Sequence, residues 1–119
     1  MTKDELQERI LQFILRIIRL SQQLPQSAEA YVIKKQLIRA ATSVGANHRA
    51  MRRARSGNEY FAKLSIVVEE ADETLFWLEL LIAAEIVPFS KLCLLLQESK
   101  ELLAIFASTR KKHRSKKEE

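Results

Sequence analysis

Histidines, carboxylates and arginines are the groups in this chain that can do chemistry, and their spacing decides which chemistry is open. The paired acids Glu69-Glu70 and Asp72-Glu73 are the residue type of a general acid–base couple. Such a couple needs a cleft to shift its pKa, and the surrounding sequence supplies none. A di-iron helical bundle carries a glutamate three residues before each ligating histidine. Here the residues three before His48 and His113 are Gly45 and Arg110, so that metal chemistry lacks its ligands. No glycine-rich phosphate loop occurs, and no nucleophile accompanies a plausible base. The expectation is a protein that is not an enzyme and holds no metal or cofactor, with His48 in a core or interface.

Charge is what remains. Lys34, Lys35, Arg39, Arg49, Arg52, Arg53 and Arg55 are seven bases in a stretch without an acid, whereas residues 59–79 hold six acids against Lys63 alone. Three arrangements suit that segregation. Adjacent helices of one bundle can pair, each exposed pair contributing at most about 1 kcal/mol. The basic face of one subunit can meet the acidic and aromatic face of the next, head to tail in a closed ring. The arginines can also neutralise a nucleic-acid backbone, giving salt-dependent affinity with little sequence preference. The second arrangement makes Glu69, Glu70, Glu73, Phe76, Trp77 and Leu81 interface residues, since aromatics projecting from an acidic face mark contacts more than solvated surface. The third extends to Arg110, Lys111, Lys112 and Arg114 in the last ten residues, RKKHRSKKEE. Those ten carry +4 of the chain's net +5, so the body before them is nearly neutral.

Four helices must position these groups. With two glycines and two prolines in 119 residues there is little material for tight turns, and helix formers dominate. Thr2 and Glu5 have capping-box spacing, and Leu6, Ile10, Phe13, Ile14, Ile17 and Ile18 then repeat with helical period until Pro25. Leu11, Leu15 and Leu20 widen that apolar surface beyond one stripe. Ser27 suits the N-cap of a second helix over 28–54. On it Ile33, Leu37, Ala41, Val44, His48 and Met51 share one face, the bases lie opposite, and Gln36, Ala40, Ser43 and Asn47 form a narrow strip between. Gly45, on the basic side, implies close approach of another backbone or a kink. Arg55-Ser56-Gly57-Asn58 is the clearest turn, with Ser56 or Asn58 as the cap of a third helix. Its expected buried stripe is Tyr60, Phe61, Leu64, Val67, Val68, Ala71, Leu75, Leu78 and Ile82. Pro88 precedes a fourth helix capped by Ser90, which buries Leu92, Leu95, Leu96, Leu103, Ile105 and Phe106 and fades near Arg110.

Short connections between long helices predict an all-α, antiparallel up-down four-helix bundle over residues 1–109 with a basic, disordered C-terminal tail over 110–119. The length suits one domain. Cys93 has no second cysteine to pair with and sits in the apolar run KLCLLLQ, as a buried hydrophobe does. The first residues do not resemble a secretory signal, and no apolar run approaches the roughly 18 residues of a membrane span. A soluble, cytoplasmic protein is expected, without membrane partners.

KQLIRAATSVGAN at 35–47, ARS at 54–56 and EYFAKLSIVVEEADETLFWLELL at 59–81 together resemble the four-helix-bundle family of proteins encoded in 23S ribosomal RNA intervening sequences. Arg39, Ser43, Asn47, Ser56, Phe61, Lys63 and Trp77 match its pattern. The resemblance implies an up-down bundle that assembles with itself, commonly as a pentameric ring. The chain is also similar to the accessory protein of diversity-generating retroelements, which shares the fold and partners a reverse transcriptase and nucleic acid. One departure stands out. The family commonly has a glutamate a few residues after the asparagine, and HRAMRRARS offers Ala50 and no acid before Glu59, which makes the second helix more cationic. The expected function is a non-enzymatic, oligomeric bundle that binds nucleic acid, RNA ahead of DNA, through helix 2 and the tail. The alternative is a structural or adaptor protein whose charged faces serve self-assembly or a protein partner such as a reverse transcriptase.

Overall fold

A computed structural model of the chain describes the backbone of residues 1–118 and the side chains of residues 1–114. It contains four helices, α1 Lys3–Gln22, α2 Ala28–Arg52, α3 Gly57–Ala83 and α4 Phe89–Glu118, and no strand among the described residues. Each of the first three starts where a hydroxyl can satisfy an orphan amide. The Thr2 oxygen accepts from the Glu5 N–H at 3.0 Å, Ser27 from Ala30 at 3.2 Å, and Ser56 from Glu59 at 3.1 Å. Ser56 is therefore the cap of α3, and Asn58 lies within the helix. Ser90 does not cap α4, because the helix already begins at Phe89, directly after Pro88, whose carbonyl accepts from the Lys91 N–H at 3.0 Å.

Packing follows chain order. α2 and α3 share the most extensive contact, α3 and α4 the next, then α1 with α2, and α1 touches α4 least. The resulting body measures 49 × 24 × 21 Å. Ion pairing joins the start of α1 to the end of α2 through Asp4 and Arg52, and ring packing joins the start of α3 to the end of α4 through Tyr60 and His113. Both pairings support the up-down course that short connections imply. The core stripe of α2 is the expected one, with Ile33, Leu37, Ala41, Val44, His48 and Met51 all buried. On α3 the stripe turns toward Thr74 and Leu81, so Tyr60, Phe61, Val68, Leu75 and Ile82 are only half-buried. On α4 it passes through Leu102 instead of Leu103 and Ile105. Cys93 is half-buried and free.

Two local devices differ from expectation. What stands over Gly45 is a side chain, not a backbone, and it comes from α1: a Cβ there would lie 2.6 Å from Ile14 Cδ1. The missing Cβ lets α1 settle against α2 at that level. The second difference is at the end of the chain. α4 continues through Arg110 to Glu118, so regular structure does not fade where the charge run begins. The added turns have packing partners, since the Arg110 and Arg114 guanidinium carbons sit 5.5 and 5.8 Å from the Phe61 ring centre, and His113 lies against Tyr60 and Phe61. Helical turns with such partners form where an isolated polar run would not. The side chains of 115–119, the rest of the expected tail, lie outside the described residues.

Candidate nucleic-acid interface

The seven bases of the second helix and its following turn do not share one environment. Arg39, at mid-helix, bonds Glu70 at 3.1 Å, Glu73, and Gln36 at 3.1 Å. Glu73 also accepts from the Trp77 indole at 3.1 Å, and the bond from Arg39, followed by that from Trp77, holds its carboxyl below the usual carboxylate range. Pairing within one chain thus accounts for Arg39, and it engages Glu70, Glu73 and Trp77, three residues expected at a subunit contact. Leu81, expected there too, is wholly buried in the core because its face of α3 turns inward. Glu69 and Phe76 remain exposed, Phe76 edge-on to Trp77 at 4.9 Å between ring centres.

Lys34 and Lys35 sit near the start of α2. Lys34 is half-buried beside Leu24, Pro25 and Tyr31, and Lys35 stands 5.9 Å over the Tyr31 ring. At 1.5 Å per residue they are roughly 20–30 Å along the helix from Arg49–Arg53. The bases of helix 2 therefore fall into two separated groups, with the paired Arg39 between them.

The other end gathers the rest. Arg52 bonds Gln7 and pairs with Asp4 at 2.8 Å. Arg49 and Arg53 flank it in a shallow hollow of about 270 Å³ that also includes Gln7, and both are exposed with no ion pair among the described residues. Arg55 projects from the turn, its backbone N–H donating to Glu59 at 3.3 Å. The start of α3 and the last described turns of α4 reach the same end. There Arg110 and Arg114 bracket Phe61, Lys111 and Lys112 are exposed, and the Arg110 Nε is buried without a hydrogen-bond partner among the described residues. Arginines seated on an aromatic ring keep N–H groups free for an anion.

At this end lies a cleft of about 580 Å³ to which every helix contributes: Lys3 from α1, His48 and Arg52 from α2, Ser56 from the turn, Tyr60 from α3 and Thr109 from α4. His48 is buried, and desolvation, followed by the charge of Arg52, pushes its pKa below the ordinary 6.5. Sequence reading placed His48 on the apolar face but could not see this cleft, because its walls come from four separate segments. It also passed over Arg9, whose guanidinium holds Glu98 at 2.6 and 2.8 Å and Glu101 at 2.9 Å and ties α1 to α4. Among the described residues no group of three or more histidines, cysteines and carboxylates is placed to hold a metal ion, and no helix is long and apolar enough to cross a membrane.

None of the curated proteins matches the chain. Among solved structures, it resembles the crystal structure of a protein of unknown function from the S23 ribosomal protein family of Bacteroides thetaiotaomicron. The two are 33% identical with a TM-score of 0.84, over 93% of this chain and 99% of that one. The family model described as 23S rRNA-intervening sequence protein matches residues 3–108. With nearly its whole length matched and the four-helix fold shared, the chain belongs to the 23S rRNA-intervening sequence protein family.

Proposed function

We propose that this protein is a non-enzymatic, cytoplasmic helical bundle that binds nucleic acid, RNA ahead of DNA, through the cationic end formed by the last turns of α2 and α4. The observation that carries this reading is that one end of the bundle holds two cationic groups, Arg49 and Arg53 beside α1, which lack acid partners among the described residues, and Arg110, Lys111, Lys112 and Arg114 beside α3. Bases in the last turn of a helix also complement its dipole, as Arg49 and Arg52 do in α2. That local role needs one or two charges, not six from two helices. Lys34, Lys35 and Arg39 fall outside the proposed surface. The test is binding of labelled RNA and DNA across a salt series, with Arg49, Arg52 and Arg53 changed together to Ala. The expected result is tight binding at low salt that the triple change weakens; an intact protein that binds neither polymer at low salt refutes the reading.

A second reading, self-assembly into a ring or docking to a protein partner, is favoured by exposed Phe76, Tyr31, Val32 and Leu94, each more than half exposed. Light scattering tests it, and a monomeric mass removes the ring.

A further inference from the structure

We propose that the cleft at the cationic end of the bundle receives an unpaired base of a single-stranded nucleic acid, an inference that rests on the nucleic-acid reading above and adds which form of the polymer binds. The cleft holds about 580 Å³, inside the range of about 300–1,000 Å³ typical of small-ligand sites, and has their character of apolar walls with a few polar groups. Leu6, Met51, Leu64 and Phe106 make the walls, and Tyr60 adds an aromatic ring on which a heterocycle can stack.

The polar groups suit the edge of a base. His48 is 3% exposed, lines the cleft, and makes no hydrogen bond to any described residue. Burial and Arg52 keep its ring neutral near pH 7, so that one nitrogen donates and the other accepts. The Thr109 hydroxyl donates to the Ile105 carbonyl at 2.9 Å and keeps lone pairs on its oxygen, while the Ser56 oxygen accepts from the Glu59 N–H and keeps its hydrogen. Lys3 and Arg52 stand in the same cleft for the adjoining phosphates. Among the described residues the one acid paired with Arg52 is Asp4, whose side chain is 90% exposed, a water-facing pair that a phosphate can replace. A cleft that is apolar within and cationic around its opening fits a ligand with a planar ring attached to an anion. In a duplex the bases are stacked inside the helix and cannot enter, whereas splayed single strands present them.

The test uses the full chain and fluorescence anisotropy with labelled single-stranded RNA and with a duplex of equal phosphate count, at one low salt concentration. Ala54, half-buried in the turn after α2, lines the cleft, so Ala54→Trp fills it without removing a positive charge. The native chain is expected to prefer the single strand by about tenfold or more, the worth of one stacked base. Ala54→Trp is expected to close that gap and leave duplex binding unchanged. A measurement on the native chain alone stands beside it: adenosine monophosphate should raise the melting temperature where ribose 5-phosphate does not. Equal affinity for both polymers, or a nucleotide no better than the sugar phosphate, overturns the base-receiving cleft while leaving charge-driven binding in place. Absence of binding to either polymer removes both.

Discussion

Glu85 has φ of 59°, the one positive φ on a non-glycine residue among the described residues. It stands just past the end of α3, where the Ile86 N–H donates to Leu81 and the Glu85 N–H to Ile82, both at 3.0 Å, the bonding of a Schellman turn. Glycine usually fills that position because a side chain there costs about 1 kcal/mol. Glu85→Gly should therefore raise stability by about 1 kcal/mol in a urea titration, and an unchanged or lower midpoint would refute the strain. His48 sets a different residue-scale behaviour. Its folded pKa lies below 6.5, so between that lowered value and about 6.5 the unfolded chain binds more protons than the folded one. Its contribution is complete above about 6.5 and is lost as pH falls through the window. Glu73 and Glu98, whose carboxyls are also held low, lose theirs further down, as pH falls below the ordinary 4.5. Melts between pH 7.5 and 5.5 should show the native chain losing more stability than His48→Gln; parallel curves would mean that His48 does not titrate differently on folding.

At the scale of elements, the end of α4 decides whether residues 110–119 are an appendage or a structural part. Arg110 and Arg114 over Phe61, with His113 against Tyr60 and Phe61, fasten this turn to the start of α3. Two such cation–ring contacts at partly exposed sites contribute roughly 0.5–1 kcal/mol each. Ending the chain after Thr109 should cost about 1–2 kcal/mol in chemical denaturation, whereas a disordered tail predicts no change. The sequence pattern missed this because RKKHRSKKEE has no apolar period: what holds its first turn is aromatic surface on α3, invisible to any test of one segment at a time. The same limit explains Leu81 and Leu102. A stripe drawn at one angle per residue drifts over helices of 27 and 30 residues, while on α2 the closely spaced Val44, His48 and Met51 kept the stripe in register. The helices themselves were legible through Thr2, Ser27 and Ser56, whose hydroxyls do in the structure what their spacing implies.

For the whole molecule, the same segregation of charge serves two ends. At mid-length it is spent internally, Arg39 of α2 against Glu70 and Glu73 of α3, and at the cationic end it faces outward. Sequence could count these bases but could not divide them, because the division depends on which acids the neighbouring helices bring alongside. That division makes a prediction no composition-based reading shares. For a single strand, log affinity falls with log salt by about 0.7 per phosphate neutralised. Arg49→Ala with Arg53→Ala should then flatten the slope by roughly 1–1.5 and weaken binding at every salt concentration below the point where curves converge. Arg39→Ala removes as formal a charge from the same helix, yet it should leave slope and affinity unchanged and lower stability by at most about 1 kcal/mol, since its exposed pairs are screened by water. Equal flattening by all three arginines would mean that the polyanion reads only net charge, and the cationic end would lose its claim to be a site.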